Sequence, residues 1–219
     1  MFLRSIILSV GLVTSANANV QSQPSFCDPD TFMSLERKGE MQGLKREHVY
    51  QVGDLTLVGL AVGDSDVTAV QTLALQHGSF QPDEKSCTWY MNDGNSSAAA
   101  AFNYQPMAFP LAPNPASDQF EAKIGPLMDQ TATSFLSCAR QHNYVAMGCD
   151  GMKHRGPSAF GMFLSFVGCS PENSTAIVNR IWGQNGVLIS TRLEIAKRGY
   201  KLGTERIHSR LALQQIMDK

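Results

Sequence analysis

The chain has 219 residues, with 18 lysines and arginines against 19 aspartates and glutamates, so its formal net charge is −1. It lacks the basic excess that drives binding to nucleic acid or to an anionic membrane, and neither is expected as a partner. The length allows one large domain or two small ones, with a hydrophobic core that needs no metal.

Residues 1–18 have the layout of a secretory signal peptide. Arg4 precedes the apolar run from Ile6 to Val13, and Ala16-Asn17-Ala18 closes the segment with the A-x-A form that signal peptidase accepts. The run is much shorter than the roughly 20 residues of a membrane-spanning helix. We therefore expect cleavage before Asn19, no transmembrane segment after it, and a mature protein that is periplasmic or secreted.

The cysteine content is consistent with export. Five cysteines follow the predicted signal peptide: Cys27, Cys87, Cys138, Cys149 and Cys169. Cysteines usually pair in an oxidising compartment, and an odd number leaves at least one thiol over. Because three of them cluster, we expect one bridge within 138–169 that involves Cys149, and a second between Cys27 and Cys87. The remaining thiol is then buried, paired between molecules, or reactive.

Residues 19–104 predict a small α+β region. Asp28 is a helix cap followed by a proline, and two alternating strands flank a tight turn at Gly53-Asp54. A helix is expected from about Asp64 to Gly78, and a second hairpin is expected around a turn at 92–95.

A proline-rich stretch separates this region from the rest. Residues 105–115 hold four of the ten prolines of the chain, which disfavours a helix or a central strand. We therefore expect an extended connector over 105–116 and a domain boundary there.

The remaining residues, 117–219, predict four to five short helices. One begins near Pro126 and has the apolar face Met128, Ala132, Phe135 and Ala139. A nearly wholly apolar helix begins at Pro157, and the next is capped by Ser170 and ends at Gly183. A last helix is expected to begin at a Thr204 cap. The fold class is thus α+β, with a hairpin-containing N-terminal half followed by a helical C-terminal half.

The segment GCDGMKHRGPSAFG, residues 148–161, concentrates the reactive side chains of the chain. If it is catalytic, Cys149 is the nucleophile and His154 the nearby base, as in cysteine-dependent hydrolysis. If it binds anions, Lys153, His154, Arg155 and Ser158 surround the N-terminus of the helix that follows.

A metal site is the third alternative for this segment. Cys149 and His154, with Cys138 and Cys169 nearby, are suitable ligand types, but their spacing fits no common zinc module. We therefore expect no metal and no cofactor. In the simplest interpretation Cys149 forms a disulfide, and the basic residues lie in a solvated turn.

These observations favour an exported, disulfide-containing, non-enzymatic protein that binds or assembles with a protein partner in the bacterial cell envelope, for example in a secretion or transfer apparatus. Two alternatives stay open. One is a hydrolase that acts on envelope or extracellular substrates through Cys149, and the other is a binder of anions or small ligands at residues 153–158.

Overall fold

The computed structural model describes residues 23–37, 48–61, 87–92, 105–108, 118–149, 151–183 and 189–206. Their elements in chain order are a 3-10 helix (Ser25–Cys27), α1 (Pro29–Ser34), β1 (His48–Val52), β2 (Leu55–Ala61), β3 (Thr88–Asn92), β4 (Gln105–Ala108), α2 (Asp118–His142), β5 (Tyr144–Cys149), α3 (Arg155–Phe166), α4 (Pro171–Trp182) and α5 (Ile189–Arg206). The predicted signal peptide (1–18), the helix predicted from Asp64 to Gly78, and residues 207–219 lie outside the described residues. No helix within the described ranges is both long and apolar enough to span a membrane.

The α+β class is confirmed, as is the first predicted hairpin. Asp28 caps α1, since its carboxylate accepts the Thr31 amide at 2.8 Å. β1 and β2 pair antiparallel around Gly53-Asp54, with Val52 opposite Leu55. Gly53 has φ of +60°, which glycine adopts without a steric penalty.

One strand of the sheet comes from the half predicted to be helical. The sheet order is β1-β2-β5-β3-β4, and β5 is parallel to both of its neighbours. Sequence patterns assigned no strand to 144–149, and that assignment was wrong. All six residues of β5 are buried, so a central parallel strand shows no polar alternation by which to recognise it.

The first strand of the second predicted hairpin is present as β3, which lies between β5 and β4 and is parallel to both. The predicted turn and the second strand of that hairpin lie outside the described residues. β4 is formed by the first residues of the proline-rich stretch, and as an edge strand it tolerates Pro106. The domain boundary at 105–116 stays a prediction, and residues 109–116 lie outside the described residues.

The first helix after the connector begins earlier than predicted. α2 starts at Asp118 and contains Pro126, which is exposed. A single missing N–H is tolerated because the later turns of this long helix pack on the core. Its predicted apolar face is confirmed, since four residues are 0% exposed: Met128, Ala132, Phe135 and Ala139.

The two following helices match their predicted character. α3 begins at Arg155, two residues before the predicted start, and every residue from Gly156 to Phe166 is buried. At the start of α4, Ser170 Oγ accepts the Asn173 amide at 3.2 Å, and Gly183 ends the helix.

No new helix begins at Thr204, where the sequence predicted a helix cap. α5 runs without interruption through Gly199, Gly203 and Thr204. A Cβ placed on Gly199 would lie 2.5 Å from the carbonyl oxygen of Met162, and one on Gly203 would lie 2.2 Å from that of Phe166. The two glycines therefore allow α5 to pack closely against the backbone of α3.

Two disulfides are present, but the predicted pairing was wrong. Cys27 is bonded to Cys169 and Cys87 to Cys138, which leaves Cys149 as the free cysteine. The prediction paired cysteines that are close in sequence, whereas the order of the strands decides which cysteines are close in space. Cys149 ends the central strand, whereas Cys87 directly precedes β3 and Cys138 lies on α2.

Candidate functional site

The segment singled out in the sequence lies at the carboxyl edge of the sheet. Cys149 ends β5 and pairs with Ala61, the last residue of β2, and the turn 151–154 leads into α3. Ligands of open α/β sheets bind at the carboxyl ends of parallel strands. Residues 149–158, here called the strand–turn–helix segment, thus occupy a position where ligand binding is common. Asp150 lies outside the described residues.

The Cys149 thiol is unpaired but shielded. The residue is 6% exposed, and its Sγ atom lies 3.3 Å from the position of a Cβ on Gly156. The same position is 2.2 Å from the Sδ atom of Met152, whose residue is 1% exposed and has φ of +43°. Both sulfur atoms therefore pack against Gly156, and the absence of a side chain there is required.

The four predicted anion-binding residues are close together, but Ser158 is already engaged. His154 precedes α3, and its carbonyl oxygen accepts both the amide and the hydroxyl of Ser158, at 3.1 and 2.8 Å. Lys153 is exposed and Arg155 is half-buried. The Ser158 side chain thus stabilises the first turn of the helix.

His154 lies in a positively charged surrounding. Burial lowers the pKa of its imidazole, and the charges of Arg192, Arg155 and Lys153 lower it further. The neutral ring is therefore favoured in the folded protein. In the part of the chain that the structure describes, no hydrogen bond joins this ring to the Cys149 thiol.

This environment predicts a pH-dependent stability. The unfolded state binds a proton at His154 more tightly than the folded state, so stability is complete above the ordinary histidine pKa of about 6.5 and falls as the pH drops below it. We expect wild type to lose more free energy of unfolding between pH 7 and pH 5.5 than His154→Gln, as measured by urea unfolding. Lys201→Gln, which removes an exposed charge on α5, is the matched control and should follow wild type. Parallel losses in wild type and His154→Gln contradict the assignment.

One residue of the site was missed in the sequence. Arg192 on α5 is 2% exposed and donates to Asn179 Oδ1 at 2.7 Å, to the Gly183 carbonyl at 3.0 Å and to the Lys153 carbonyl at 2.6 Å. It therefore joins α5 to the turn and to the end of α4. Its position on the helix could have indicated that it is buried, since Ile195, Ala196 and Gly199 lie on the same helical face and are buried.

The electrostatics of Arg192 involve the free thiol. Burial lowers the pKa of the guanidinium, and the negative charge of a Cys149 thiolate acts in the opposite direction.

The metal interpretation is overturned for two of its four ligands. Cys138 and Cys169 are in disulfides, and a disulfide sulfur does not act as a thiolate ligand. Within the described ranges, no group of three or more histidine, cysteine, aspartate or glutamate side chains is placed to hold a metal.

A shallow groove lies between two of the C-terminal helices. It is an open space of about 410 Å³ between α4 and α5, lined by Glu172, Thr175, Ala176, Asn179, Arg180 and Leu193. Asn179 borders this groove and also accepts a hydrogen bond from Arg192.

No protein-family model, curated protein sequence or solved structure matches this chain.

Proposed function

We propose that the protein is an exported binding or assembly component of the bacterial cell envelope, for example a periplasmic part of a secretion or transfer apparatus, with a protein partner there. The observation that supports this most is the pair of intrachain disulfides, Cys27–Cys169 and Cys87–Cys138. Disulfides persist in the periplasm and outside the cell and are rare in the reducing cytoplasm. The A-x-A end of residues 1–18 supports the same compartment.

The shielding of Cys149 favours binding over hydrolysis. A cysteine nucleophile must be reached by its substrate, and it needs a base within hydrogen-bonding distance. Cys149 is 6% exposed, and its sulfur packs beside Met152 against Gly156. The hydrolase alternative, with Cys149 and His154, would require this packing to open.

A single experiment tests both parts of the proposal. The full chain and a variant that lacks residues 2–18 are expressed in a Gram-negative host, and periplasmic and cytoplasmic fractions are alkylated under native and then denaturing conditions. We expect the full chain in the periplasmic fraction with both disulfides formed and Cys149 alkylated only after denaturation. The truncated variant should stay in the cytoplasm with its cysteines reduced.

Two results would contradict the proposal in different ways. Retention of the full chain in the cytoplasm overturns export. Rapid alkylation of Cys149 in the native periplasmic protein overturns the binding assignment in favour of the hydrolase.

The second candidate function is binding of anions or small ligands at residues 153–158. The hydrogen bond from Arg192 to the Lys153 carbonyl favours it, because it fixes a cationic turn beside a buried positive charge.

A further inference from the structure

Four sulfur-bearing side chains are buried toward the carboxyl edge of the sheet. Cys149 and Met147 are two positions apart on β5, and residues at this spacing point to the same side of a strand. Met91 shares that side, since it follows Trp89 by two positions and Trp89 pairs with Met147. Met152, in the turn after β5, is the fourth. These four residues, here called the sulfur cluster, are each at most 6% exposed.

Met152 brings its thioether to the Cys149 thiol. The sulfur atoms of these two residues lie within 3.3 Å of one point, the position of a Cβ on Gly156. The Met152 methyl group extends over β2, where it lies 3.0 Å from the position of a Cβ on Gly59, and Gly59 pairs with Met147 in the sheet. Met152 therefore lies across the sulfur cluster, and glycines on β2 and α3 leave the room that it occupies.

The backbone of Met152 is unusual for a residue of the core. Its φ of +43° lies in the left-handed region, which costs free energy for a residue other than glycine and is concentrated at functional sites. The edge of the Trp182 indole contacts the same glycine of β2 as the Met152 methyl group does. Close packing on both sides thus holds this methionine in a conformation that it would not adopt by itself.

Thiolate and thioether sulfur are soft ligands, and together they select Cu(I) among biological metal ions. Two metal–sulfur bonds of about 2.3 Å place their sulfur atoms about 4 to 4.6 Å apart, and the three rotatable bonds of methionine allow the adjustment. The ion replaces the thiol proton of Cys149, so one proton is released and the charge of the buried site does not change. A divalent ion would leave a net positive charge there, which burial disfavours.

We propose that Cys149 and Met152 hold one Cu(I) ion, with Met91 and Met147 as the other sulfur atoms around it. The inference goes beyond the proposed function and departs from the sequence-based expectation of no metal. The ligand set differs from the histidine, cysteine and carboxylate groups considered above, because three of its four members are thioethers. Cu(II) prefers nitrogen and oxygen ligands, so the site stabilises the reduced ion.

The test is a titration of the purified, oxidised protein with Cu(I) under nitrogen, in competition with bicinchoninate, whose coloured Cu(I) complex reports the ion that the protein leaves unbound. We expect the protein to withdraw one Cu(I) per chain and to retain it in excess Zn(II). Loss of a ligand should weaken binding at least as much as loss of an outer-shell partner, which costs about tenfold to a hundredfold. Met152→Leu, which conserves apolar volume, should therefore weaken binding by about tenfold or more, and Cys149→Ser should weaken it further.

Met162→Leu is the matched control. Met162 is also wholly buried, but it lies about 9 Å farther along α3 than Gly156. Its Cγ atom is 3.0 Å from the position of a Cβ on Gly199 of α5. Its replacement should leave the Kd for Cu(I) unchanged within about twofold, as for sites without shared partners. Equal Kd values for the Met152 and Met162 variants, no withdrawal of Cu(I) from bicinchoninate, or displacement by Zn(II) overturns the site.

If Met152→Leu fails to fold, the X-ray absorption spectrum of the wild-type copper complex decides. The two disulfides leave Cys149 as the single thiol of the chain. Two or more sulfur atoms at about 2.3 Å from the copper therefore require a thioether ligand, whereas one sulfur atom overturns the proposal. Export and disulfide formation are measured on cell fractions without added copper, so a failure of the proposed function is distinguishable.

Discussion

Replacing Gly203 with alanine is expected to lower the free energy of unfolding by about 2 kcal/mol, although alanine is the stronger helix former. A Cβ at this position would lie 2.2 Å from the Phe166 carbonyl oxygen and 2.9 Å from its carbon. These are backbone atoms of a helix that is buried from Gly156 to Phe166, so α3 and α5 must separate to admit the methyl group. Urea unfolding followed by far-ultraviolet circular dichroism measures the change.

Thr204→Ala is the control for this substitution. Thr204 is exposed on the same helix, and its change should stay within about 0.5 kcal/mol. A Gly203→Ala variant more stable than wild type, as helix propensity alone predicts, would show that the two helices do not approach as closely as described.

Removing the Cys27–Cys169 bridge, by replacing both residues with serine, is expected to cost about 4 kcal/mol of unfolding free energy. The bridge spans 142 positions, against 51 for Cys87–Cys138, and a longer closed loop restricts the unfolded chain more. Replacing both members of the pair avoids a new free thiol. Urea unfolding under non-reducing conditions gives the value.

Cys149→Ala serves as the matched variant, because it removes the free thiol and no bridge. It should keep both disulfides and lose far less stability than the paired variant. Equal midpoints for wild type and the Cys27/Cys169 variant would contradict a stabilising bridge between these residues.

Local features of the fold were predictable from sequence because they depend on neighbouring residues. The caps at Asp28 and Ser170 and the turn at Gly53 follow from side-chain or backbone chemistry within four positions. The buried face of α2 follows from helical periodicity.

Features that depend on distant contacts were not predictable. β5 is recognisable only once β2 and β3 are known to lie on either side of it, and the role of Gly203 is recognisable only once α3 is known to pack against it. The residues of the candidate site show the same difference between local and distant signals. Residues 149–158 stand out by composition, whereas Arg192 comes from another helix, and its position was visible only as one charge on an apolar face.

The position of β5 also constrains the order in which the molecule can form. β5 lies between β2 and β3. The strands that precede β5 in the chain therefore cannot join into one sheet until residues 144–149 have been synthesised. If the chain is exported from its N-terminus, Cys27 and Cys87 are the first two cysteines to meet an oxidant, and their pairing is not the native one. Oxidation before Cys138 arrives would then require thiol–disulfide exchange to reach the two native bridges.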